Sequence, residues 1–307
     1  MQSLPQLSSI TQPHLVASFL SGRNGTTLRA YRRDLEDFRA FVGASTIDEA
    51  AKVLLSHSHG EANALTLAYK TSLMDRGLQP ATINRRLASL RSLVKLARTL
   101  GMVSWYLEIE NVRSEAYRDT RGPGKEGFRA LLDEAKKGGR KKKTARDLAI
   151  LRLLYDLGLR RGEVVALDVE DLDLTAGTLA ILGKGRTQKV NLTLPEQTKS
   201  ALLEWLSIRG TAPGPLFINL DRAKKGWRLS ATGLYFLVRK LGEKIGIKVR
   251  PYGLRHSAIT EALEATHGNI RAVVRFSRHK NIQTLTVYDD NRLDIGGDVA
   301  RLIASRV

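Results

Sequence analysis

The chain has 307 residues, 42% of them hydrophobic, which is enough for two domains with cores of their own and excludes general disorder. No apolar run approaches the ~18 residues of a membrane span, the first residues lack the charged-then-apolar pattern of a secretory leader, and the absence of cysteine excludes disulfides, thiolate metal sites and cysteine nucleophiles and fits a cytoplasmic protein. Fifty Lys and Arg against 31 Asp and Glu give a net charge of +19, which points to a polyanionic partner, nucleic acid first. The excess is uneven: residues 1–112 hold 13 basic and 9 acidic residues, residues 113–307 hold 37 and 22. An anionic membrane surface is the rival partner, but no basic amphipathic anchor carrying aromatic residues supports it.

Residues 1–12 are polar and turn-rich, a loose lead-in. Leu28, Tyr31, Leu35, Phe38 and Phe41 recur every three or four residues, which predicts an amphipathic helix over 27–41 capped at Thr26 or Thr27. Arg32 and Arg33 fall on its other faces, as DNA contacts or as a solvated helix face. Two more helices are predicted over 48–55 and 61–74, separated by a Ser-His-Ser-His-Gly turn at 56–60. His57 and His59 in that turn have too few neighbouring ligands for a metal site. Pro80 opens a fourth helix, with Ile83, Leu87, Leu90, Val94 and Ala97 on one face. Arg85, Arg86, Arg91 and Lys95 flank that face without an interleaved acid, which makes this helix the better DNA candidate.

Residues 113–126 lose the apolar period and contain Gly122-Pro123-Gly124, a linker signature. The predicted organisation is an all-helical domain over 1–112, a linker over 113–123 and a second domain over 124–307. In the latter, a short helix over 127–137 precedes a solvated basic loop, Gly138 to Lys143, and then an apolar helix over 145–159. Thr178–Ile181 and Val190–Leu194 read as strands around Gly183-Lys184-Gly185, a hairpin turn. Helices are predicted again from Pro195 to Leu206, and over 231–245, 254–265 and 270–277. The fold class is mainly α: an all-helical first domain and an α+β second domain with one small antiparallel sheet.

The chemistry-bearing residues are few. Arg255, His256, His279 and Tyr288 fall within 34 residues of a chain with only six histidines, and Gly158-Leu159-Arg160-Arg161-Gly162-Glu163 closes the apolar helix upstream. Singly each has an ordinary explanation: Arg160 as a helix-end arginine paired to Glu163, Lys184 as a turn residue, His279 as a surface histidine, Tyr288 as core. Together, two arginines, a lysine, a histidine and a tyrosine suit holding a phosphodiester and attacking it with a phenol.

The order and spacing of Gly158-Leu159-Arg160 with Glu163, Gly183-Lys184-Gly185, Leu254-Arg255-His256, and His279 nine residues before Tyr288 resemble the tyrosine recombinase (phage integrase) family. The resemblance runs from about residue 10 to 305. It implies a helical core-binding domain and a catalytic domain that clamp double-stranded DNA in a C shape. It makes Tyr288 the nucleophile of a 3′-phosphotyrosyl bond, Arg160 and Arg255 the ligands of the non-bridging oxygens, Lys184 the acid for the leaving 5′-oxygen and His279 a phosphate hydrogen-bonding group, with Glu163 in support. Because a covalent intermediate keeps the phosphodiester energy, no metal or nucleotide cofactor is implied. One departure stands out: the family usually has His three residues before the second arginine, and here that residue is Tyr252, a group whose ordinary pKa of about 10 makes it a poor base at neutral pH. His256 is the weaker alternative base.

The resemblance further implies a homotetramer on two DNA sites with inverted-repeat cores, of the two-domain type, with the C-terminal segment over 298–307 packing on a neighbouring protomer or within its own. The Tyr252 departure favours a mobile-element enzyme over a chromosome-dimer one. Two other readings stay open: a type IB topoisomerase-like enzyme that nicks and reseals alone, and a catalytically idle DNA-binding or architectural protein.

Overall fold

The computed structural model describes residues 15–21, 25–113, 122–183, 187–279, 282, 285 and 295–306. The chain divides into two compact units, Met1–Tyr117 and Arg118–Val307.

The first unit is helical: α1 (Leu15–Leu20), α2 (Gly25–Val42), α3 (Ile47–Ser56), α4 (His59–Asp75) and α5 (Pro80–Thr99). Leu35, Phe38, Leu54, Tyr69, Leu73, Leu87, Leu90 and Val94 fill one core, the faces that the apolar period marks. The predicted turn at 56–60 is shorter than expected. Ser58 and Glu61 form a reciprocal cap, which satisfies two orphan backbone donors and starts α4 at His59. His57 and His59 face Glu61 and Glu108 at 3.8 and 3.6 Å. Pro80 stands in the first turn of α5, where its missing N–H costs nothing.

The second unit contains α6 (Gly124–Lys136), α7 (Lys141–Tyr155), α8 (Arg161–Ala166), β1 (Leu172–Asp173), β2 (Thr178–Leu182), β3 (Lys189–Thr193), α9 (Glu196–Arg209), α10 (Ala231–Lys244), α11 (Pro251–Ala265), α12 (Ile270–Ser277) and α13 (Ile295–Ala304). The sheet is antiparallel in the order β1-β2-β3, with Leu179 opposite Leu192 and Ile181 opposite Val190. Leu179 and Ile181 point into a core built on α7 and α9, with Ile150, Leu154, Leu202, Trp205 and Phe217. Trp205 donates its indole N–H to the Leu216 carbonyl at 2.8 Å, so the ring is buried without an orphaned donor.

Two expectations need correction here. The basic run at 140–143 is not all loop: Lys141–Lys143 form the first turn of α7. Cations there oppose the helix dipole, and buried Asp147, one turn on, answers them by accepting from Lys143 at 2.6 Å and from Arg146 at 2.8 Å. The apolar helix also stops earlier than its pattern, at Tyr155, and a separate helix begins at Arg161. Gly158 lies between them with φ +53°, a left-handed turn that breaks the helix. A smaller cluster, Ile259, Leu263, Val273 and Leu285, seats α12 on α11. The end of α7, the start of α11 and the end of α12 thereby meet.

Candidate active site

Arg160 precedes the first residue of α8, so it belongs to a helix start rather than to the helix end expected. Its backbone N–H donates to Glu163 Oε2 and its Nη1 to Glu163 Oε1, both at 2.8 Å. Glu163 is buried, and its carboxylate fixes the arginine from backbone and side chain together. The Arg160 side chain remains 30% exposed.

Arg255 lies in the second turn of α11, which Pro251 opens. It is 2% exposed and among the largest fully buried side chains. Burying a guanidinium is unfavourable unless its donors are met. Here Nη1 donates to the Gly158 carbonyl and Nη2 to the Ser277 carbonyl, with His279 Nε2 at 3.4 Å from Nη2. The Gly158 turn aims that carbonyl inward. A Cβ at Gly158 would lie 3.3 Å from the Phe276 ring.

His279 follows the end of α12. Burial, then the guanidinium groups of Arg255, Arg160 and Arg278, push its pKa down to about 4, so the ring is neutral at neutral pH.

Arg278 was not singled out from the sequence, yet it joins the cluster. Its Nη1 donates to the carbonyls of Phe276 at 2.9 Å and Leu157 at 3.2 Å. Its Nη2 donates to the Gly158 carbonyl at 3.1 Å and to Glu163 at 3.4 Å. The available signal was its place beside His279 at a helix end.

Tyr252, one turn before Arg255, is 50% exposed. His256 is 8% exposed, and the residue whose proton it would accept, Tyr288, lies outside the described residues. Tyr288 and Lys184 lie outside the described residues, so the structure brings together Arg160, Glu163, Arg255 and His279 and says nothing of the other two. Among the described residues, no three His, Cys, Asp or Glu side chains converge as a metal site requires, and no helix is long and apolar enough to cross a membrane.

The DNA-contact residues expected in the first unit separate into two groups. Arg86 is a correction. It is buried and donates to Asp37 at 2.5 Å, and Asp37 also accepts from Tyr69 and Arg76. Arg85 donates to buried Asp34 at 2.5 Å. Arg91 donates to the Ile109 carbonyl at 2.6 Å and Asn111 at 2.7 Å. These side chains tie α5 to α2 and to the segment after α5. The acids were invisible in α5's own sequence because they lie on α2. Arg32, Arg33 and Lys95 are exposed.

Fold and site define a mainly helical protein whose second unit gathers three guanidinium groups and a neutral histidine, two of the guanidiniums on one buried carboxylate. The phage integrase family matches residues 125–293. A tyrosine recombinase of Synechocystis sp. is 40% identical over 97% of this chain and 96% of its own length, and one of Synechococcus elongatus is 44% identical over 92% and 90%. Among solved structures, the Tn1549 transposon integrase in complex with transposon right-end DNA superposes with a TM-score of 0.70 at 16% identity, covering 97% of this chain and 99% of that one. The site-specific recombinase XerH bound to a palindromic difH substrate superposes with a TM-score of 0.68 at 20% identity, covering 94% and 84%. The chain belongs to the phage integrase family of tyrosine recombinases, enzymes of the site-specific recombinase class.

Proposed function

We propose that the protein is a site-specific DNA recombinase that cleaves and rejoins duplex DNA through a 3′-phosphotyrosyl intermediate. The observation that carries this reading is the meeting of Arg160, Arg255 and His279, from three separate stretches of chain, in one cluster of the second unit. Guanidinium forks match phosphate oxygens, and fixed donors stabilise charge that builds on them during displacement.

Tyr288 Oη attacks the scissile phosphorus and the P–O5′ bond breaks. The 3′-phosphate is left on the tyrosine, and the departing 5′-oxygen takes a proton from Lys184. Arg160, the more exposed of the two arginines, contacts a non-bridging oxygen, and Arg255 holds the floor of the site together with His279. A ring with a pKa of about 4 is a poor proton acceptor at neutral pH, so His279 hydrogen-bonds the phosphate and water takes the phenol proton of Tyr288. Tyr252, on the same face of α11 as Arg255, adds a hydroxyl donor to the phosphate. Attack by a 5′-hydroxyl of the partner strand reverses the step. Done in pairs within a tetramer on two inverted-repeat sites, it passes through a Holliday junction and serves a mobile element or replicon resolution. The phosphotyrosyl bond conserves the energy of the diester, so the chemistry itself calls for no metal or nucleotide.

The test uses a nicked duplex carrying the cognate site, selected from bound genomic fragments, with the adduct read on a denaturing gel. A covalent adduct that disappears in Tyr288→Phe is the expected result. Tight binding without an adduct would return the protein to the idle, architectural class. An adduct without concentration-dependent synapsis of two sites would make it a topoisomerase-like enzyme.

A further inference from the structure

Arg278 takes no part in the steps above, and its backbone is unusual. With φ +56° it is, with His267, one of two non-glycine residues described in the left-handed region. It ends α12 where helices commonly place glycine, and a side chain there is strained against its own backbone. The turn by itself asks for glycine, so the reason for an arginine must lie in its guanidinium.

That group bonds to one acceptor of each of the other two arginines. It shares the Gly158 carbonyl with Arg255, and it shares the Glu163 carboxylate with Arg160. It also closes the ends of α7 and α12 through Leu157 and Phe276. Resting on the recombinase reading, we propose that Arg278 is a positioning residue for strand cleavage: its guanidinium locks the acceptors that orient Arg160 and Arg255 and so sets the geometry in which they and His279 meet the phosphate. A planar fork with several donors can serve four acceptors at once; an ammonium cannot. The left-handed turn has a second effect, since it directs the next residue, His279, back towards Arg255.

The groups facing His279 are Arg255 from α11, Arg160 from the start of α8 and Arg278 from its own segment, with Glu163 behind Arg160 and Arg278. Removing the Arg278 cation from that set raises the titration midpoint of His279 by itself, so the charge-conserving Arg278→Lys separates the effect of the charge from that of the fork.

Arg278→Gly is the clean variant, because glycine keeps the turn without strain; Arg278→Lys restores charge without the fork. Two readouts are made on the full chain: single-turnover adduct formation on the nicked duplex, with DNA affinity measured beside it, and the His279 Cε1–H resonance titrated by NMR. The expected result for Arg278→Gly is adduct formation slowed about 10²-fold, the scale of an ångström-level misplacement, with DNA affinity unchanged and the His279 midpoint raised. Arg278→Lys returns the midpoint towards wild type while cleavage stays slow. Wild-type cleavage by Arg278→Gly, or slow cleavage with an unmoved His279 midpoint, overturns the proposal. If the wild type itself forms no adduct, the recombinase reading fails separately. The titration then tests the geometry on which the proposal stands: an unchanged midpoint in Arg278→Gly removes Arg278 from the His279 cluster and refutes it.

Discussion

At the scale of single residues, the site is governed by how few carboxylates face its cations. Glu163 accepts from both Arg160 and Arg278, and burial first, then the surplus positive charge, hold the pKa of His279 at about 4 against an ordinary 6.5. The unfolded chain therefore takes up a proton at this histidine at a higher pH than the folded one does. Above about pH 6.5 both states are neutral and the group is silent. As the pH falls from there towards about 4, folded stability is lost, and the loss levels off below that. Replacing His279 by Gln removes this contribution. Urea unfolding at several pH values in that window is expected to show a shallower decline for His279→Gln than for the wild type, and parallel curves would contradict the assigned burial and charge environment.

At the scale of elements, α11 carries Tyr252 and Arg255 and must be held in register with α7 and α12. The segment that opens the second unit does part of this. The Gly124 N–H donates to Ser257 Oγ at 2.9 Å, and a Cβ built on Gly122 would lie 1.8 Å from the Gly253 carbonyl oxygen and 2.1 Å from Ser257 Oγ. Backbone cannot yield as a flexible side chain can, so Gly122→Ala must push α11 away or lift its own segment. Overpacking of this kind destabilises by about 1–3 kcal/mol, and displacing Arg255 should slow adduct formation as well. Gly60→Ala in α4, where nothing lies within 4 Å, is the opposite case and is expected to be stabilising by about 0.4–1 kcal/mol. Thermal melts of the two variants measure both signs. Elements of this unit were legible to different degrees. Strands β2 and β3 fall on the two β-like stretches read at 178–181 and 190–194. The break between α7 and α8 was not legible, because Leu157 and Leu159 continue the apolar pattern while Gly158 turns the chain.

At the scale of the whole molecule, the net charge of +19 predicts duplex binding that weakens linearly with the logarithm of salt concentration. Which cations set that slope is a separate matter. Arg86 is engaged with Asp37, and Arg85 with Asp34, so removing either should act first on stability. Arg32 and Arg33 are exposed on α2. Replacing Arg32 and Arg33 together by Ala is expected to lower the salt slope by about one for each phosphate that the pair neutralises, uniformly across DNA sequences, with unfolding unchanged. Fluorescence anisotropy against a salt series measures it, and an unchanged slope would remove α2 from the proposed DNA surface.

The amino-acid sequence by itself determined the helical periods of the first unit, the β2 and β3 strands of the second, the basic balance, and the order of arginine, lysine, arginine, histidine and tyrosine that marks the family. These are properties of short windows or of motif spacing, and no distant residue is needed to read them. Tertiary structure decided which cations are occupied. Neither Arg86 nor Arg91 meets an acid within α5, and their partners, Asp37 and Ile109, stand 49 and 18 residues away. It also separated Arg160, partly open to solvent, from Arg255, closed beneath carbonyls, and it brought Arg278 into the site. Burial and ion pairing depend on what the fold places alongside a side chain, and that neighbour is rarely next to it in the chain.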